Sequence, residues 1–300
     1  MGFLVLNLVI KGDKMKIAIN GVSGFVGSEL FKFLSANNHE VVKIGREIYS
    51  DVNALSKVLS GTDAVINLAG ASISKRWSKG YKQILRQSRI DTTRNLVRVF
   101  ELMSKQNQAL PKIFISTSAV GIYKSGLVCD EKSCEFDEGF LGELAREWES
   151  EAQKAGEFGV KTAIFRLGVV LGNGGALAKM LPVFRLGLGG VLGSGKQAFA
   201  WVSMSDVLRA YEFVLSREIS GVFNITASEF ATNESFTKVL AKKLKRPAVF
   251  RVPEFVLKLA FSEGAQILLE GASAVPKNLL EQGFEFKHTG LKSALDEILA

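Results

Sequence analysis

The feature that most constrains this chain is "IAINGVSGFVGSEL", Ile17 to Leu30, where a short β-branched run meets three evenly spaced glycines and then an apolar helical pattern. A buried strand, a glycine turn and a helix N-terminus in that order aim backbone N–H groups at a bound anion. Gly21 is placed for the tight turn, Gly24 for close approach of a pyrophosphate, and Gly27 for helix–strand packing. Inside a first β-α-β unit, that order predicts a dinucleotide site rather than an ordinary turn.

The rest of the chain repeats the rhythm. Strands are predicted in "KIAING", "HEVVKIGR", "DAVINLAG", "PKIFISTSAVGIY" and "VKTAIFRLGVVLG", separated by helical patterns, with "YKQILRQSRIDTTRNLVRVFELMSK" forming one long helix or two. Alternation of this kind implies a parallel sheet covered on both faces. The pattern fades in the glycine-dense stretch from Gly172 to Gln197 and returns in "FAWVSMSDVLRAYEFVL" and "GVFNITA". The expected fold is therefore α/β: a Rossmann-type doubly wound parallel sheet with a smaller C-terminal substrate lobe. Residues 15–172 form the nucleotide-binding domain and 200–227 return to it, while 173–199 and 228–300 make the lobe. Residues 1–14 contain an apolar run too short to span a bilayer and without the charged start of a signal peptide, and are expected to be an extension outside the fold.

Composition narrows the partners. An apolar content of 47% with 21 Phe supports a large core rather than disorder. The net charge of +8 is spread along the chain, and its densest cluster, Lys242 to Arg246, falls where a helix should end. No nucleic-acid partner and no membrane span are expected; an anionic small ligand accounts for part of the positive balance. Two cysteines, Cys129 and Cys134, are too few for a disulfide scaffold and fit no zinc spacing, so the cytoplasm is the default location and no metal is expected. His39, at a turn entering a strand, reads as structural.

The segment "VVKIGRE" addresses cofactor choice. An acidic residue at the end of the second strand suits the ribose of NAD, whereas Arg46 after Gly45 offers a fork to the 2′-phosphate of NADP. NADP(H) is the expected cofactor, with Glu47 arguing mildly the other way. Asp51 stands where it could cap the helix beginning at Asn53. Gly190, Gly195 and Lys196 mimic a P-loop, but Gln197 replaces the Ser/Thr that would hold Mg²⁺.

Six segments in order, "NGVSGFVGSEL", "DAVINLAGASI", "RWSKGYKQILRQSRIDTTRNLV", "FISTSAVGIY", "RLGVVLGNGGALAKMLPVFRLGLGGVLGSGKQ" and "FAWVSMSDV", resemble the extended short-chain dehydrogenase/reductase superfamily. Within it they are similar to the "epimerase family" branch of YfcH-type proteins and the human family 39U member. The resemblance covers about Lys16 to Ala300. It implies cofactor contacts from Gly21, Ser23, Gly24, Phe25, Val26 and Gly27 in the turn, and from Gly45, Arg46 and Asp51 after the second strand. Leu68, Ala69 and Gly70, Arg89 on the long helix, and Gly168 and Val169 complete the cofactor set. Extended relatives pair helices into dimers, so a homodimer is expected by analogy.

The same resemblance exposes a departure. Its catalytic Tyr-x-x-x-Lys pair is missing, because Leu141 and Ala145 stand at those positions and no tyrosine lies between Tyr123 and Tyr211. Ser118 matches the family's catalytic serine, and Tyr123 the tyrosine bordering the substrate pocket. Glu143 is a candidate acid/base group or an exposed helix glutamate. Arg185 and Gln197 read as ligands for an anionic or polyol substrate, or as loop-structuring residues. Two functions are carried: an oxidoreductase or epimerase on a small polar or nucleotide-linked substrate, and a catalytically silent NADP(H) sensor.

Overall fold

The computed structural model describes residues 14–300, so the expectation for 1–14 lies almost wholly outside the described residues. Twelve strands occur in this part of the chain: β1 Lys16–Asn20, β2 Glu40–Ile44, β3 Ala64–Asn67, β4 Ile113–Ala119, β5 Val128–Cys129, β6 Lys161–Leu167, β7 Val169–Leu171, β8 Gly190–Leu192, β9 Trp201–Ser203, β10 Gly221–Ile225, β11 Phe250–Val252 and β12 Ser273–Ala274. Six of them form one parallel sheet in the order β10-β6-β4-β3-β1-β2. The order reverses direction beside β1, which puts a crevice at the carboxyl ends of β1 and β3.

Both faces of the sheet are apolar, as a sheet with helices on each side requires. Strand alternation sends Ile17, Ile19, Ile113, Ile115 and Phe165 to one face and Ala18, Val65, Phe114 and Ile164 to the other. The first face is covered by α1 (Phe25–Ala36) and α6 (Met204–Arg217), the second by α2 (Val52–Leu59) and α3 (Lys79–Lys105). The last is one unbroken helix, which settles the alternative left open by its pattern. Helix α4 (Phe140–Gln153) lies against α3 and β4.

The smaller lobe is built from α5 (Gly175–Arg185), α7 (Asn233–Leu244), α8 (Glu254–Phe261) and α9 (Gln266–Leu269), with β8 and β11 paired between them. Leu177, Phe184, Trp201, Phe236 and Leu240 make a separate core there, closed by Leu291 and Leu295 of α11 (Leu291–Ile298). The lobe does not keep the whole C-terminal segment. Leu279 on α10 (Lys277–Glu281) and Phe284 join the main core beside Phe213 and Phe223. Their apolar surface fits the edge strand β10, a distant pairing that local pattern does not reveal.

Two further local points differ from or refine the sequence reading. Cys129 and Cys134 are joined in a disulfide with Cα atoms 5.2 Å apart, so they act as a local staple although they build no scaffold. His39 is buried, accepts from the Met15 amide at 3.2 Å through Nδ1, and faces Glu212 at 3.3 Å through Nε2. Among the described residues, no helix is long and apolar enough to cross a membrane and no cluster of ligating side chains could hold a metal.

Candidate functional site

The glycine turn has the geometry its spacing implies. Gly21 has φ +84°, and a Cβ there would sit 2.7 Å from the Leu68 carbonyl carbon. Gly27 is buried where a Cβ would strike the Gly21 carbonyl oxygen, so α1 is seated directly on the turn. Ser23 and Gly24 are exposed at the start of α1; the Gly24 amide closes the turn on Gly21 O at 3.0 Å, which leaves the first-turn amides of α1 to face an anion. The side chains of Phe25 and Val26 point into the protein instead: Val26 joins the core, and the Phe25 ring packs on Gly172, Gly174 and Gly175 of the smaller lobe. Phe25 thereby ties the turn to α5, a role that motif reading does not supply.

Beneath the turn lies a polar relay that sequence reasoning missed. Asn20 donates to Asn67 Oδ1 at 3.1 Å, and Asn67 donates to Thr93 Oγ1 at 2.8 Å. Thr93 also accepts from the Trp148 indole at 2.9 Å. Asn20 Oδ1 is buried with no hydrogen-bond partner among the described residues. The signal was present as polar residues ending two otherwise apolar strands. Tyr49 was missed as well; its hydroxyl accepts from the Gly21 amide at 3.2 Å, and burial raises its pKa.

Arg89 is held by carbonyls, not carboxylates. Its guanidinium donates to Ala71 O at 3.1 Å and Leu85 O at 3.2 Å, and a Cβ on Gly70 would sit 3.1 Å from its central carbon. Burial lowers its pKa to about 10. A half-buried cation with no carboxylate partner among the described residues is costly, and this one lies against Gly70 at the crevice. Arg46 is exposed in a single 3₁₀ turn after Gly45, where the Glu47 carboxylate folds back over the glycine. Asp51 resolves as a helix cap: its Oδ1 accepts from the Asn53 and Ala54 amides, both at 3.0 Å. That carboxylate oxygen is committed to α2 rather than to an adenine.

These residues fit a dinucleotide by their own geometry: the N-terminal amides of α1, an orphaned buried acceptor on Asn20 and the Arg89 guanidinium lie together around the turn.

Next to the crevice is a cavity of about 730 Å³ between the sheet and the smaller lobe. Val120, Gly121, Tyr123 and Val169 form its inner wall. Gly168 is just behind, where a Cβ would meet Ala200 O at 2.7 Å.

Ser118 is not on that wall. It is 2% exposed, and its Oγ donates to Glu149 Oε1 at 2.6 Å. Glu149 is paired with Arg166 through contacts of 2.8 and 2.7 Å, and Arg166 donates to the Tyr123 hydroxyl at 2.8 Å. Tyr123 passes its own proton to Asn224 Oδ1 at 2.8 Å. Burial opposes the charge of Arg166, but the Glu149 hydrogen bonds and charge hold its pKa above the usual arginine range. Burial raises the Tyr123 pKa against the pull of Arg166.

This network explains the missing pair. Leu141, Ala145 and Glu149 fall on one face of α4 at four-residue intervals. Leu141 lines the cavity and Ala145 is buried against Ile122 and Tyr123. Only the third position is polar, and it is spent on Arg166. Glu143 is exposed and outside the site. Arg185 is also exposed and absent from the cavity wall, because the helix turns Phe184 inward and its neighbour outward. Gln197 does line the cavity, but its Nε2 donates to Leu192 O at 3.0 Å and Leu268 O at 2.8 Å, so its amide structures the loop. Arg185 therefore lies away from the cavity, whereas Gln197 is on its wall with the amide nitrogen committed to the loop.

The chain is similar to known proteins along most of its length. Residues 17–226 match the NAD dependent epimerase/dehydratase family, and residues 252–298 match a domain of unknown function, DUF1731. The chain is 35% identical to the epimerase family protein SDR39U1 homolog, chloroplastic, of Arabidopsis thaliana, over 99% of this chain and 90% of that protein. It is 34% identical to the epimerase family protein YfhF of Bacillus subtilis, over 95% and 98%. Among solved structures, human epimerase family protein SDR39U1 (isoform 2) with NADPH superposes with a TM-score of 0.85 at 32% identity, covering 95% of this chain and 99% of that one.

Proposed function

The chain belongs to the NAD dependent epimerase/dehydratase family, and from that premise we propose that it is an NADP(H)-dependent oxidoreductase or epimerase whose substrate occupies the cavity beside the glycine turn. One observation carries this reading: the dinucleotide crevice and a closed-in cavity meet at the carboxyl end of β4, at Val120 to Tyr123. Held in the crevice, the cofactor supplies or accepts a hydride at the nicotinamide ring. The turn amides and Arg89 take its phosphates, and Arg46 takes the 2′-phosphate. The similar human protein crystallised with NADPH supports that choice.

Tyr123 is the hydroxyl at the inner wall and the group proposed to meet the reacting oxygen. Ser118 stands one layer behind. It acts as a positioning residue, through Glu149 and Arg166, on the Tyr123 oxygen. A second reading is favoured by the same network: since both hydroxyls are engaged internally and Leu141 and Ala145 replace the usual pair, the protein senses NADP(H) without turnover.

Cofactor fluorescence tests the first part. NADPH should bind at least about tenfold more tightly than NADH, and Arg46→Ala should erase most of that preference. Equal affinities would remove Arg46 from its role. Turnover is then followed as loss of bound NADPH absorbance with a carbonyl panel, and product analysis covers redox-neutral epimerisation. A panel with no product in either assay leaves the sensor.

A further inference from the structure

We propose that the ligand of the cavity is an uncharged, largely apolar carbonyl or carbinol compound rather than a sugar nucleotide. The inference deepens the reading above and rests on the cavity it assigns to substrate.

Most of the wall that the smaller lobe contributes is apolar. Met180 and Phe184 come from α5, Phe199 from the preceding loop of β9, Phe236 from α7, Phe261 from α8 and Leu268 from α9. Phe199 and Phe236 stack with centroids 4.3 Å apart, giving a rigid floor. At about 730 Å³ the space suits a molecule of drug-like size.

Charge argues against a diphosphate. Three charged side chains reach the wall, Asp137, Lys179 and Glu270, and two of the three are acidic. Lys179, the one cation of the wall among the described residues, donates to Ser74 across the cleft. A nucleoside diphosphate would bring two further negative charges beside an acidic pair, with one engaged lysine to answer them.

The polar groups argue equally against a sugar. Gln197 is spent on Leu192 O and Leu268 O. Asn233 Oδ1 accepts the Leu192 amide at 2.9 Å, and Asp137 Oδ2 accepts the Gly142 amide at 3.1 Å. Ser125 is shared with both backbone groups of Gly271. Sugar hydroxyls entering here would give up water and find the Gln197 amide nitrogen, Asn233 Oδ1, Asp137 Oδ2 and the Ser125 hydroxyl already bonded within the protein. An apolar body loses no hydrogen bonds on entry, and its single oxygen asks for one donor, which Tyr123 supplies by turning its hydroxyl from Asn224 Oδ1.

Calorimetric titration with 2-butanone, 2-heptanone and 2-undecanone, with and without saturating NADPH, tests this directly, with UDP-glucose as the comparison. Affinity should rise about fourfold per methylene, and UDP-glucose should bind more weakly than 2-undecanone. Met180→Asp, at a partly exposed wall position, should flatten the chain-length dependence while NADPH affinity stays unchanged. Ile267→Asp repeats the test from the opposite wall if the first variant does not fold. A flat dependence in the wild type, a dependence surviving both variants, or tighter binding of UDP-glucose overturns the proposal. Failure of NADPH to bind while the dependence persists overturns the cofactor reading alone.

Discussion

Ser118 donates its hydroxyl proton to Glu149 at 2.6 Å, and the residue that resembles a catalytic serine is thereby a ligand of a buried ion pair. Its energetic role follows from the partner it lacks. Glu149 keeps both Arg166 contacts when Ser118 is removed, so Ser118→Ala should cost about 1–2 kcal/mol. Glu149→Gln leaves the Arg166 guanidinium buried without an opposite charge and should cost about 3–5 kcal/mol. Urea unfolding of both variants checks the order. A Ser118→Ala protein with unchanged stability and no turnover would return the serine to direct chemistry.

Arg89 makes the opposite trade. Its charge is buried against the Ala71 and Leu85 carbonyls, with its pKa lowered to about 10, which destabilises the cofactor-free protein. Arg89→Met should therefore leave the melting temperature unchanged or raise it, while weakening NADPH by about tenfold or more. The folded-state pKa lies below the unfolded one, so the burial penalty is relieved as pH rises through about 10. A bound phosphate loses its partner over the same range. NADPH affinity should fall above about pH 10 in the wild type and stay flatter in Arg89→Met. An equal decline in both would assign the effect to other groups.

Gly27 and Gly61 separate close packing from backbone conformation. A Cβ at position 27 strikes the Gly21 carbonyl oxygen and lies 2.9 Å from Val22 Cα, so Gly27→Val must lift α1 off the turn. The expected cost is about 1–3 kcal/mol, with cofactor binding lost. Gly61 has φ +67° and open space around it. Gly61→Ala should cost about 1–2 kcal/mol through its left-handed conformation and leave NADPH affinity unchanged. Fluorescence titration beside thermal unfolding separates the two; intact binding in Gly27→Val would detach the turn from the cofactor.

What was legible in the sequence was local. Strand β1, the glycine turn and α1 are contiguous, and each glycine's role follows from its immediate neighbours. The sheet was legible for the same reason, since period and turn chemistry repeat along the chain. Residues whose meaning depends on a distant partner were not. Ser118 meets Glu149 and Arg166 because α4 lies across paired β4 and β6, where Ser118 is in register with Arg166. Arg185 sits one position after the inward-facing Phe184, so helix phase alone turned it to solvent. Leu279 and Phe284 were assigned to the lobe, yet they bury themselves on β10, far back in the chain.

The loop closed by Cys129 and Cys134 was equally hidden and carries its own prediction. Ser133, the Lys132 amide and Lys277 hold the Asp130 carboxyl well below the usual carboxylate range. Beside it, burial raises Glu131, whose carboxylate accepts the Asn224 and Asn278 amides at 2.8 and 3.2 Å. The disulfide and these contacts hold one loop against β10 and α10. Reduction should cost about 2 kcal/mol near pH 7, the chain-entropy value for so short a loop. The Asp130 contribution is present above its unfolded pKa, about 3.9, and is lost as pH falls further toward the depressed folded value. Glu131 works the other way, because its raised folded pKa lets the native state take up a proton first, so mild acid should do little. Asp130→Asn should therefore lower the urea midpoint at pH 7 and matter progressively less below about pH 4. Because both constraints act on the same few residues, reduction should cost more in Asp130→Asn than in the wild type. Unfolding midpoints with and without reductant, at pH 7 and pH 3, measure the coupling; strictly additive effects would show that the staple and the carboxylate hold different parts of the chain.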